Sequence, residues 1–288
     1  MSETQKTPAQ IASEDPRNTA VDLDIDSAGH GTGFYLGDGI VITASHNGEN
    51  EDGTANDFSR MNLTMARSSH TSDRTDRVGR GDFEDAGDYA GDPFKTSSTV
   101  GANNHDVAVI RSDLKSDLRS SLIVFENPND ASGNIETLGF PSVDGSSTDD
   151  GSTPYYSAGT LSKNSMSDRF EYDTLVSDKD VTGKPGMDAI GGQSGSAVQL
   201  DYDLVSSDTR LGHLDLDNHV VGVVAHGSRD GSGISRTASS RGVGIEEFDA
   251  KTYNRIGDIA EQAARDNSDA ERYVAREEEV KAAGGRWN

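Results

Sequence analysis

Three short stretches hold residue types that could break a bond. "VITASHN" (41–47) ends an apolar run with His46, "NNHDVAVIR" (103–111) opens one with Asp106, and "GGQSGSAV" (191–198) sets Ser194 among glycines. A serine hydroxyl is a poor nucleophile until a base takes its proton, and the usual base is an imidazole oriented by a carboxylate. Here the order is His, Asp, Ser, with separations of 60 and 88 residues. Each residue alone has a blander reading. A histidine after a strand is commonly structural, Asp106 is one of 35 aspartates, and a serine between glycines is commonly part of a loop. It is the joint occurrence that suggests nucleophilic catalysis.

Such residues need rigid elements to carry them. From Val21 onward, short β-prone runs alternate with Gly, Asp and Asn, as in "DVAVIR" (106–111), "IETLGF" (135–140), "YYSAGTLS" (155–162) and "HVVGVVAHG" (219–227). Many short strands at near-regular spacing indicate an all-β sandwich or barrel. "FYLGDGIVI" predicts a hairpin turning at Asp38-Gly39. We expect a flexible arm over 1–20, a first β unit over 21–130 with a long acidic insertion at 47–105, a second β unit over 131–250 and a helical tail over 251–288. The insertion, "GENEDGTANDFSR" and "TSDRTDRVGRGDFEDAGDYAGDPF" included, reads as surface loops. In the tail, Ile256, Ile259 and Ala263 fall at helical spacing. Asn267-Ser268 can end that helix and cap a second, from Asp269 to Ala283.

Charge bounds the partners. With 50 acids against 26 bases, the net charge is −24, spread along the chain. Nucleic acids and anionic membranes require basic patches, so neither is expected as a partner. The aspartate-rich, lysine-poor balance (8 Lys) resembles that of salt-adapted proteins. Without cysteine there is no disulfide, thiolate metal site or cysteine nucleophile. Glu49, Glu51 and Asp52 are a candidate calcium cluster, although the alternating spacing of a calcium loop is missing; no other cofactor is expected. Residues 1–18 lack the apolar core of a signal peptide, and no run approaches the length of a spanning helix. Localisation stays open between the cell interior and export after removal of a leader.

Taken together, the motifs resemble those of the trypsin-like (chymotrypsin-fold) serine proteases, in particular the cysteine-free bacterial branch that includes glutamyl endopeptidases. "GTGFYLGDGIVITASHN" (31–47) resembles that family's histidine block, "HDVAVIR" its aspartate block and "GGQSGSAV" its serine block. "LGFPS" (138–142) resembles the opening of its second half, and "VVGVVAHGS" (220–228) the strand lining its cleft. The resemblance spans about 21–255. It implies two six-stranded antiparallel β-barrels followed by a C-terminal helix. It also implies a peptide or protein substrate and a chain acting as a monomer.

The same resemblance assigns roles. His46 would be general base and then acid, Asp106 would fix its tautomer, and Ser194 would attack a peptide carbonyl. The N–H groups of Gly192 and Ser194 would form the oxyanion hole. Asp188, six residues before the nucleophile, would floor the specificity pocket, with Gly227 and Gly242 on its walls and His226 lining the cleft. A carboxylate there implies cleavage after Arg or Lys. The alternative is glutamyl specificity, whose histidine should stand one or two positions before His226. Gln193 is neutral where zymogens of the family carry an aspartate, so no ion pair with a freed amino terminus is expected. A protease fold retained as a non-catalytic binding module, and an acidic surface protein whose loops bind calcium or a partner, are the rival readings.

Overall fold

A computed structural model of the chain describes residues 18–25, 29–48, 60–66, 75–86, 106–116, 120–122, 133–140, 153–163, 170–174, 192, 194–200, 219–227, 242–247 and 255–258. They form two sheets. The first joins β1 (Ala20–Ile25), β2 (Gly29–Gly37), β3 (Ile40–Thr43), β4 (Arg60–Met65), β5 (Thr75–Gly79), β6 (Phe83–Asp85) and β7 (Ala108–Arg111) in the order β5-β4-β1-β2-β3-β7-β6. The second joins β8 (Ser121–Leu122), β9 (Gly133–Gly139), β10 (Tyr155–Lys163), β11 (Phe170–Thr174), β12 (Ala197–Leu200), β13 (His219–Gly227) and β14 (Gly242–Glu247).

Side-chain alternation explains where each strand lies. β1 and β4 bury Val21, Leu23 and Ile25, and Met61, Leu63 and Met65, while Asp24 and Arg60 face water. β2, β3 and β7 are instead apolar on both faces. Tyr35, Val41, Ala108 and Ile110 point into a core made with β1 and β4. Phe34, Leu36, Ile40, Ile42, Val107 and Val109 point the other way, onto Ala197, Val220 and Val223 of the second sheet. The unbroken apolar runs of the sequence are therefore strands sandwiched between two cores. The predicted hairpin joins β2 to β3, with Asp38 at φ 42° and Gly39 at φ 78°, the signs a two-residue primed turn demands.

Three expectations change. In the first sheet the described strands differ in count and closure from a six-stranded barrel. Among the described residues the first sheet has seven strands and no ladder joins its ends, although Val78 of β5 and Phe83 of β6 curl onto the same core. In the second, β12 pairs with β13 as well as β9, so β12-β9-β10-β11-β14-β13 is cyclic and β8 is an added parallel strand on β13. Second, the insertion is not all loop, since β4, β5 and β6 lie within it. The latter two are anchored by single apolar residues, Val78 and Phe83, too sparse a signal to show as a period. Third, the end of the expected arm is built in. Asn18 and Thr19 are buried, the Asn18 side chain accepts the N–H of Ala20 at 3.0 Å, and the Thr19 and Ser120 hydroxyls pair at 2.7 Å. Polar residues buried through paired hydrogen bonds leave no hydrophobic trace.

Of the tail, residues 255–258 are described and are helical. Ile256 is fully buried in the core shared by the two sheets, and Arg255 contacts Glu84, which also pairs with Arg111. The expected second helix lies outside the described residues. No helix among the described residues is long and apolar enough to cross a membrane.

Candidate active site

Strand register brings His46 to Asp106. β3 and β7 are antiparallel neighbours with Thr43 opposite Ala108, so the segments running on from Thr43 and back from Ala108 leave the sheet side by side. Beyond Thr43 the chain makes a single 3₁₀ turn, Ser45–Asn47. Asp106, 1% exposed, receives the His46 backbone N–H on Oδ1 at 2.9 Å and meets the ring Nδ1 through Oδ2 at 2.6 Å. An ionised carboxylate can only accept, so the ring proton sits on Nδ1 and the neutral imidazole keeps Nε2 as its basic nitrogen. The His46 side chain retains 29% exposure. Burial opposes its cation, but the Asp106 charge and the hydrogen bond to it outweigh burial and hold the imidazole above the ordinary histidine range.

β6 backs this turn. The Ser45 hydroxyl donates to Asp85 Oδ1 at 2.7 Å, and Gly48 lies so close to the Phe83 ring that a Cβ there would come within 2.4 Å of it.

Ser194 arrives from the second sheet. Gly192 at φ 93° and Gly195 at φ 90° adopt left-handed backbone that a side chain disfavours, which answers why glycines surround the serine. Gly195 N–H donates to Val224 O at 2.7 Å and Val224 N–H to Ser196 O at 3.0 Å, tying the loop to β13 before β12 begins at Ala197. Across the junction, the Ser194 carbonyl accepts the Thr32 N–H at 3.0 Å and the Asn47 side-chain amide at 2.9 Å. Ser194 is thus fastened to the residue that follows His46. Among the described hydrogen bonds, none joins its hydroxyl to the His46 ring.

The remaining site residues divide. His226 and Gly227 end β13, Gly242 opens the neighbouring β14, and Gly227 stands opposite Val243. The two glycines expected on the pocket walls therefore lie on adjacent strands. Asp188, Gly191 and Gln193, and the acidic cluster of Glu49, Glu51 and Asp52, lie outside the described residues. The sequence reading overlooked Thr32 and Asn47 as partners of the serine loop. Their signal was local, with Thr32 between Gly31 and Gly33 and Asn47 directly after His46.

No family model matches the chain, and no curated protein matches it. Solved structures do. A Glu endopeptidase complexed with MPD superposes with TM-score 0.54 at 15% identity, over 90% of this chain and 96% of the other. A thermostable serine protease, AL20, from an extremophilic microorganism superposes with TM-score 0.54 at 12% identity, over 85% and 96%. Likeness at such identities, over nearly the full length of both partners, speaks for architecture: this chain has the fold of those two proteins, the chymotrypsin-like fold.

Proposed function

We propose that the chain is a serine endopeptidase. His46, Asp106 and Ser194 would form its catalytic triad. The observation carrying this reading is the Asp106–His46 pair at 2.6 Å beside a glycine-flanked serine whose carbonyl is bound by the adjacent Asn47. In the proposed reaction His46 Nε2 takes the Ser194 proton as Oγ attacks the scissile carbonyl. The N–H groups of Gly192 and Ser194 stabilise the oxyanion, and no described residue accepts a hydrogen bond from either. The imidazolium then protonates the leaving amine, and water, deprotonated by the same ring, releases the acyl group from Ser194. Contacts between base and nucleophile commonly tighten only when substrate binds, so the lack of a resting hydrogen bond between them is compatible with this scheme.

The substrate is a peptide or protein, cleaved after Arg or Lys. Asp188 supplies the countercharge, Gly227 and Gly242 leave room for a long side chain, and His226 borders the cleft. One fold neighbour is a Glu endopeptidase, and glutamyl preference is the alternative that Asp188 opposes by charge. No cofactor enters this chemistry, so activity in excess EDTA should match that without it.

A fluorophosphonate probe tests the reading, because it labels only an activated serine. Wild type should be labelled and Ser194→Ala should not; an unlabelled wild type would point to the non-catalytic module. In a peptide-library digest, wild type should cut after Arg and Lys and Asp188→Ser should lose that preference. An unchanged preference would remove Asp188 from the pocket.

A further inference from the structure

Thr32 is fully buried in the middle of β2 and all of its polar groups are engaged. Its hydroxyl donates to Gly192 O at 2.6 Å and accepts the Phe140 N–H at 2.9 Å. Its N–H donates to Ser194 O at 3.0 Å, and its carbonyl accepts the Thr43 hydroxyl at 2.6 Å. The Asn47 amide closes the ring, donating to Thr43 Oγ1 at 2.8 Å and to Ser194 O at 2.9 Å. Glycines line this network where nothing larger fits. A Cβ on Gly31 would stand 2.8 Å from the Asn47 amide, and one on Gly195 would stand 2.1 Å from Thr32 O and 2.2 Å from Thr43 Oγ1.

One residue therefore holds the carbonyls of both residues assigned to the oxyanion hole. Peptide units are rigid planes, so anchoring the carbonyls of 192 and 194 fixes the planes on either side of the unit that carries the Ser194 N–H. Gly192, at φ 93°, has little intrinsic resistance to rotation. The Thr32 hydroxyl supplies the restraint that the glycine lacks. We infer that Thr32, with Asn47 as second donor to Ser194 O, is a positioning residue that aims the N–H groups of Gly192 and Ser194 at the substrate carbonyl. This inference rests on the serine-protease reading above.

The test compares wild type, Thr32→Val and Thr32→Ser with a small alkyl fluorophosphonate, which makes no demand on the specificity pocket. Valine keeps the volume and loses the hydroxyl; serine keeps the hydroxyl. Loss of a whole oxyanion donor costs about 10²–10³ in rate, so a misaimed one should slow labelling by roughly 10- to 100-fold in Thr32→Val. Thr32→Ser should stay within about threefold of wild type by the same reasoning. The pH inflection of the labelling rate should not move, because the His46–Asp106 pair is untouched. On peptides, kcat should fall while KM holds. A folded Thr32→Val labelled at the wild-type rate overturns the inference and leaves the protease reading standing. A shifted inflection also overturns it, by tracing the effect to His46. If Thr32→Val does not fold, Asn47→Leu, which removes the second donor to Ser194 O without adding a charge beside His46, carries the same expectations and the same refutations. A wild type that is never labelled fails the underlying reading instead.

Discussion

At the scale of the residue, the His46–Asp106 pair sets a pH dependence whose sign follows from its balance of terms. Burial alone would lower the imidazole's affinity for a proton; the charge of Asp106 and the hydrogen bond to it more than restore it. In the proposed role of general base His46 must be neutral, so kcat/KM should rise with pH through an inflection above about 6.5, the ordinary histidine value. Asp106→Asn removes the opposing charge and leaves the burial, so the inflection should move down and, if the proposed triad operates, kcat should drop by roughly 10⁴, the scale of Asp→Asn in a Ser-His-Asp triad. An inflection unmoved by that substitution would mean that another group titrates. The same shift links to stability. A raised folded-state value means that the native protein binds the proton more tightly than the unfolded chain. The pair's contribution is therefore full below about pH 6.5 and is lost as pH rises through the folded value. The gap in urea midpoint between wild type and His46→Gln should be larger at about pH 5.5 than at about pH 9.

At the scale of the element, the helical residues 255–258 show which interactions hold a piece of chain to the body. Arg255 is about half exposed and its link to Glu84 is at the surface. Exposed ion pairs contribute about 0–1 kcal/mol, since water screens them and two long side chains must be ordered. Ile256 is fully buried among Phe34, Ile42, Val107 and Val223, residues of both sheets. Its truncation should cost about 2–5 kcal/mol. Ile256→Ala should therefore lower the urea midpoint far more than Arg255→Ala, and the reverse order would assign docking to the ion pair. The strands follow the same logic of anchors. β5 and β6 persist in an acidic segment because Val78 and Phe83 each reach the first core, and β6 in turn carries Asp85 to the Ser45 hydroxyl behind His46.

At the scale of the whole molecule, a net charge of −24 on 288 residues means that folding gathers like charges. Self-repulsion of this kind opposes the compact state. It is screened as the Debye length falls from roughly 30 Å at 0.01 M salt to about 3 Å at 1 M. The melting temperature should accordingly climb over a sodium chloride series spanning that range; a flat or falling trend would show that repulsion is not what limits stability. The acidic surface also bears on the proposed preference, because a cationic peptide is drawn to it before any contact forms. Its association rate should then decline with added salt while the first-order rate constant of bound substrate does not.

Much of the local geometry was legible in the chain because it is written locally. The left-handed turns at Gly192 and Gly195 need glycine wherever they occur, the Asp38-Gly39 hairpin needs its dipeptide, and the apolar runs of β2, β3 and β7 announce burial on both faces. Distances between segments are not written that way. That Thr43 stands opposite Ala108, so that His46 meets Asp106, is a property of strand register. That Thr32 and Asn47 reach Ser194, 162 and 147 residues away, and that Thr19 is buried by pairing with Ser120, are properties of packing between distant segments. Hydrophobic period reports which face of a strand is dry, whereas a buried hydrogen bond depends on two groups arriving at one place, and only the folded chain brings them there.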